Sequence, residues 1–154
     1  HPNLFARVIT FGKAYGCHGG AVLGPDKLRN YLINYSRPFI YTTAMNVSAY
    51  LQIKRAVEYV SLYGSIATQL RELLNYFNEK KVGMNFIPSS SAIHSLIVPG
   101  NDEVKELSQK LWDRGYGVKA ILHPTVPEGK ERLRISVHNF NSKQEIDELL
   151  SLLQ

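Results

Sequence analysis

Cysteine is nearly absent: Cys17 is the single one in 154 residues. One thiol forms no intramolecular disulfide and has no partners for a structural zinc site, so the sequence excludes both of these staples. Long apolar runs are lacking as well. None approaches the ~18 to 20 residues of a membrane-spanning helix, and no charged segment followed by an apolar one marks a secretory leader. Methionine is scarce and missing from the start, where the chain reads His1-Pro2-Asn3; Met45 and Met84 are the only two. The expectation is a soluble, cytoplasmic protein whose sequence begins inside a longer polypeptide.

Metal and triad signatures are also missing. His18, His94, His123 and His138 show no metal-ligand spacing, and each reads as a polar loop or strand residue. No Ser-His-Asp arrangement stands out.

What is present is ordinary globular composition, with 44% hydrophobic and 20% charged residues. A formal charge of +5 and a pI near 9.3 favour anionic partners such as nucleic acid, phosphate-bearing cofactors or acidic metabolites. Lysines and arginines are scattered and the tyrosines mostly follow helix spacing, which argues against nucleic acid.

Leu4 to Thr10 and Gly20 to Leu23 read as strands separated by a glycine-rich loop. Gly24-Pro25 then opens a helix carrying Leu28, Tyr31, Leu32 and Tyr35 on one face. Phe39 to Thr43 reads as a strand or extended segment. From Val47 to about Lys80, apolar residues recur at steps of three and four, predicting one long amphipathic helix with Gly64 as its point of interruption. Glu58, Glu72 and Glu79 fall on its polar side.

Beyond Lys81 the elements shorten. Ala92 to Val98 and Val118 to Leu122 read as strands, with a helix between them that Asn101 can cap and Gly115 can stop. Leu133, Ile135 and Val137 alternate with polar residues, the period of a half-buried strand. Ser142 and Glu145 form a capping box in front of the last helix. The architecture expected is α/β, with residues 1–45 ending a larger domain, 46–80 a long connecting helix and 81–154 a small α+β domain.

Three places could carry chemistry. Lys13 follows Gly12 in TFGKAYGCHGG, but Arg7 and Ala14 break the Walker A pattern, so a nucleoside-triphosphate loop is excluded. A lysine at a strand-to-loop corner can form a Schiff base with a carbonyl cofactor such as pyridoxal phosphate, with the Thr10 hydroxyl available to a phosphate. The plain alternative is a solvated turn. Arg134 lies on the polar side of its strand, where a guanidinium either meets solvent or clamps a carboxylate with two parallel hydrogen bonds. The loop His123-Pro124-Thr125-Val126-Pro127 is stiff, as a structural crossover or as a mount for the Thr125 hydroxyl.

TFGKAYG, GGAVLG, RPFIYTTAM, SSSAIHSLIV and VKAILHPTVPEGKERLRISVH, in that order and spacing, resemble the C-terminal portion of the α-oxoamine synthases. These are pyridoxal-phosphate enzymes of aminotransferase fold type I. The resemblance covers essentially the whole chain. It implies that Lys13 holds pyridoxal phosphate and later moves the substrate Cα proton, and that Thr10 contacts the cofactor phosphate. Thr42 and Thr43 match positions that reach the phosphate in the neighbouring subunit's site, which implies a homodimer with shared sites. Thr125 matches a substrate-contacting threonine and Arg134 the clamp on the substrate carboxylate. No metal is implied.

The SAI-x-x-LIV and PTVP-x-G-x-x-RLRIS segments look most like the biotin-pathway branch, which condenses L-alanine with a pimeloyl thioester and releases carbon dioxide. Other branches use glycine with acetyl-CoA, or serine with a long acyl chain; a non-catalytic anion-binding module is the reading from another class. His18 and Gly20 stand where the family often carries serine and alanine, and His123 replaces a common proline. The family's cofactor-stacking histidine and ring-pairing aspartate match nothing here. The expectation is a C-terminal part of a protein more than twice as long, with an incomplete site in this chain alone.

Overall fold

The computed structural model describes residues 3–154, so the reading of His1 and Pro2 lies outside the described residues. The chain divides into two compact units, His1–Gly64 and Ser65–Gln154.

In the first unit, β1 (Arg7–Thr10) and β2 (Gly20–Leu23) form an antiparallel pair in which Arg7 faces Leu23 and Thr10 faces Gly20. Helix α1 (Asp26–Tyr35) starts after Pro25, whose ring supplies an extended entry and whose missing N–H costs nothing there. The segment read as extended, Phe39 to Thr43, is in part a helical turn, α2 (Arg37–Ile40). Its β-forming residues are overridden by the preceding sequence. Ser36 is extended and its carbonyl accepts from both Phe39 N and Ile40 N at 2.9 Å, while Pro38 sits in a first turn that needs no donor. Thr42 and Thr43 follow in irregular chain.

Asn46 caps α3 (Val47–Leu62), its side-chain oxygen accepting from Ala49 N at 2.8 Å. None of residues 3–64 is buried, and Phe5, Phe39 and Tyr41 are largely exposed. The core is elsewhere.

The second unit begins with α4 (Ser65–Lys80); the stretch read as one helix breaks at Tyr63-Gly64. Leu70, Leu74 and Phe77 of α4 pack into this unit's core. Four antiparallel strands follow in the order β3-β4-β6-β5: β3 (Phe86–Ile87), β4 (Ile93–Ile97), β5 (Lys119–Ile121) and β6 (Arg132–Ser136). β3 went unread because two residues carry no period.

The period of two on β6 turns Leu133 and Ile135 inward and leaves Arg134 and Ser136 exposed. Leu96, Val104, Leu111, Ile146, Leu149 and Leu150 close the core against them, each worth about 1.5–3 kcal/mol of apolar burial. Helix α5 spans Asn101–Asp113, with Gly100 at the cap position at φ 97°; Asn101 is the first helical residue and not the cap. Gly115, at φ 88°, follows the end of α5. Helix α6 (Lys143–Leu152) carries the expected capping box between Ser142 and Glu145. Among the described residues, no helix is long and apolar enough to cross a membrane.

Candidate functional site

The loop between β1 and β2 is closed by its own backbone. Phe11 N donates to Gly19 O at 2.9 Å, Cys17 N to Phe11 O at 2.8 Å, and Gly16 N to Lys13 O at 2.9 Å. The last of these makes Lys13 the first residue of a tight turn that Gly16 completes at φ 61°. Phe11 and Tyr15 meet edge to face beneath it, with centroids 5.6 Å apart.

The lysine itself stays exposed, and its amine has no hydrogen-bond or ion-pair partner among the described residues. A Cβ built on Gly12 would meet only Cys17 O, at 3.6 Å, so the backbone beside Lys13 is open. An unengaged amine on an uncrowded, internally bonded turn fits a group carried covalently on Lys13. Thr10 ends β1 three residues earlier and is also exposed. Among the described residues, no cluster of potential ligands could hold a metal ion.

The segment carrying Thr42 and Thr43 is tied to this loop through Met45. A Cβ on Gly19 would lie 3.0 Å from Met45 Sδ and Cε, so the end of the Met45 side chain packs close against the Gly19 backbone. Gly19 also has φ 108°, a region that side chains resist. Thr10, Lys13, Thr42 and Thr43 therefore belong to one unit.

Thr125 and Arg134 belong to the other. Arg134 is exposed on β6, with Ser95 of β4 opposite it on one side and Lys119 of β5 on the other. Thr125 sits in a loop where Val126 N donates to Leu122 O at 3.1 Å. Asn101 anchors that loop: its Oδ1 accepts from His123 N at 2.9 Å and its amide donates to His123 O at 3.4 Å.

Glu131, immediately before Arg132-Leu133-Arg134, is buried and accepts from Gly100 N at 3.0 Å. The Gly100 N–H, then its own backbone N–H, hold its carboxyl below the usual carboxylate range despite burial. Asn101 and Glu131 went unread as site supports. Their partners lie 22 and 31 residues away, where no local spacing reaches.

An open depression of about 410 Å³ near Tyr116, Ser136, His138 and Glu145 includes neither Thr125 nor Arg134.

The family model for aminotransferase class I and II matches residues 1–153. The chain is 38% identical to 8-amino-7-oxononanoate synthase of Photorhabdus laumondii over 95% of its own length and 39% of that protein. It is 34% identical to the enzyme of the same name from Serratia proteamaculans, over 99% of this chain and 40% of that one. Among solved structures, 8-amino-7-oxononanoate synthase of Francisella tularensis superposes with a TM-score of 0.83 at 24% identity, covering 97% of this chain and 44% of that one. Serine palmitoyltransferase of Sphingomonas wittichii superposes with a TM-score of 0.74 at 21% identity, covering 98% of this chain and 39% of that one. These structures share the fold. The chain spans about two fifths of the length of the curated relatives it matches.

Proposed function

The chain belongs to the class I and II aminotransferase family, and on that premise we propose that it is the C-terminal portion of a cytoplasmic, pyridoxal-phosphate-dependent 8-amino-7-oxononanoate synthase. That enzyme joins L-alanine to a pimeloyl thioester with loss of carbon dioxide. The observation that carries this reading is the exposed, unpartnered Lys13 on a closed turn, in a chain similar over 95–99% of its length to synthases of that name.

Pyridoxal phosphate, when bound, supplies a ring that accepts the charge left on the substrate Cα. Lys13 would hold the cofactor through its amine, and the same amine, when free, would take the proton from the substrate Cα. Thr10 donates its hydroxyl to the cofactor phosphate. Arg134 holds the amino-acid carboxylate through parallel N–H donors until carbon dioxide leaves, and Thr125 contacts the substrate from the loop that Asn101 steadies.

The enzyme works as a homodimer in which Thr42 and Thr43 serve the phosphate of the partner's site. The exposure of Phe5, Phe39 and Tyr41 in a unit with no buried residue among those described supports an arrangement in which other chain covers them.

The test is a carbon dioxide release assay on the longer, cofactor-loaded polypeptide carrying this sequence, with alanine, glycine and serine each paired with pimeloyl, acetyl and long-chain thioesters. Alanine with the pimeloyl thioester is expected to react fastest. Preference for glycine with acetyl, or serine with a long chain, would replace the substrate assignment.

A further inference from the structure

We propose that Lys119 is a second cation of the carboxylate-binding site, sharing with Arg134 a single substrate carboxylate. The proposal rests on the reading of Arg134 as the carboxylate clamp and adds to it a residue on a different strand.

Lys119 and Arg134 are register partners across β5 and β6. Directly opposed residues of an antiparallel pair point to the same side of the sheet with Cα atoms about 4.5–5.5 Å apart. Both side chains are exposed on the side away from Leu133 and Ile135, and Ser95 adjoins Arg134 from β4 in the same row.

Like charges directly opposite each other destabilise a sheet unless something between them compensates. Among the described residues no acidic group compensates them. None of the four strands carries an aspartate or glutamate, Arg132 adds a further cation two residues from Arg134, and Glu131 turns away to Gly100. Neither Lys119 nor Arg134 has an ion-pair or hydrogen-bonding side-chain partner among the described residues. Ile97 and Ile121, the half-buried partners of Arg132 in the next row, bring apolar surface beside these cations.

An anion seated between the two cations resolves the repulsion. The guanidinium offers a planar pair of donors to one carboxylate edge, and the lysine supplies a mobile point charge to the remaining oxygen. Ser95 can donate its hydroxyl to the same group. The ligand class is a small carboxylate, and in the proposed reaction it is that of the amino acid.

The experiment uses the longer, cofactor-loaded polypeptide and reads amine binding from the change in cofactor absorbance, without turnover. L-Alanine is compared with ethylamine, which has the same amine and lacks the carboxylate. Lys119→Ala should weaken L-alanine about tenfold, the scale of one charge-assisted hydrogen bond, and leave ethylamine unchanged. Lys119→Arg should restore most of the alanine affinity. Arg134→Ala, measured alongside, should show the same selective loss. Unchanged alanine affinity in Lys119→Ala with selective loss in Arg134→Ala overturns the two-cation site and leaves the Arg134 reading standing. No selective loss in either variant overturns both.

Discussion

The side-chain amine of Lys81 lies 3.1 Å from Nδ1 of His94, whose ring stacks on Phe77 with centroids 4.3 Å apart in the core of the second unit. A charged lysine donating to Nδ1 leaves the ring proton on Nε2, which is buried with no hydrogen-bond partner among the described residues. Burial, and then the Lys81 charge, push His94 from 6.5 down to about 4.

The pH dependence follows from the sign of that shift. Between pH 6.5 and about 4 the unfolded chain takes up a proton that the folded chain refuses, so stability contributed at this site falls as pH drops through that window. Above it both states are neutral and nothing is lost. Chemical unfolding of the protein and of His94→Gln across this range should give a shallower acid loss for the variant. Parallel pH profiles would remove His94 from the account.

Gly19 is expected to tolerate no side chain. Its φ of 108° opposes a Cβ and the end of the Met45 side chain, 3.0 Å from where that Cβ would stand, would have to shift, so Gly19→Ala should cost about 1–3 kcal/mol and loosen the Lys13 loop. Thermal unfolding measures the first effect. Proteolysis within residues 11–19, faster in the variant, measures the second.

In the second unit, a cap and a core residue should separate by magnitude. Ser142→Ala removes the oxygen that accepts from Glu145 N at 3.1 Å and should cost about 1 kcal/mol. Leu133→Ala empties a fully buried site on β6 and should cost about 2–5 kcal/mol. Urea unfolding of both variants gives the comparison; equal losses would mean that β6 repacks around the cavity.

Much of the fold was legible because its signals are local. The alternation on β6, the capping box before α6 and the glycine-bounded β2 each declare themselves within a few residues. Phe39 to Thr43 misled because its β-forming side chains outweigh, by eye, a Ser36-Arg37-Pro38 start that the backbone obeys. Asn101 carries a capping side chain but sits one position too late to cap, and is used to hold His123 instead.

The candidate site divides along the same line. Lys13 was legible as an open corner because glycine and a strand end adjoin it in sequence; the role proposed for it rests on resemblance. His94 shares the inward face of β4 with Leu96, and that alternation was the available sign of its burial. Lys119 gave no sign, since its pairing with Arg134 spans two strands joined by a ten-residue loop, 122–131.

Lys13 is proposed to carry pyridoxal phosphate, and the rest of the proposed chemistry depends on it. The most direct measurement incubates the longer polypeptide bearing this sequence with the cofactor, reduces it with borohydride and maps the modified peptide by mass spectrometry. The account predicts one stable label, on Lys13, with loss of the visible cofactor band on reduction. A folded protein that binds the cofactor with its label on another lysine, or that takes no label, would contradict it.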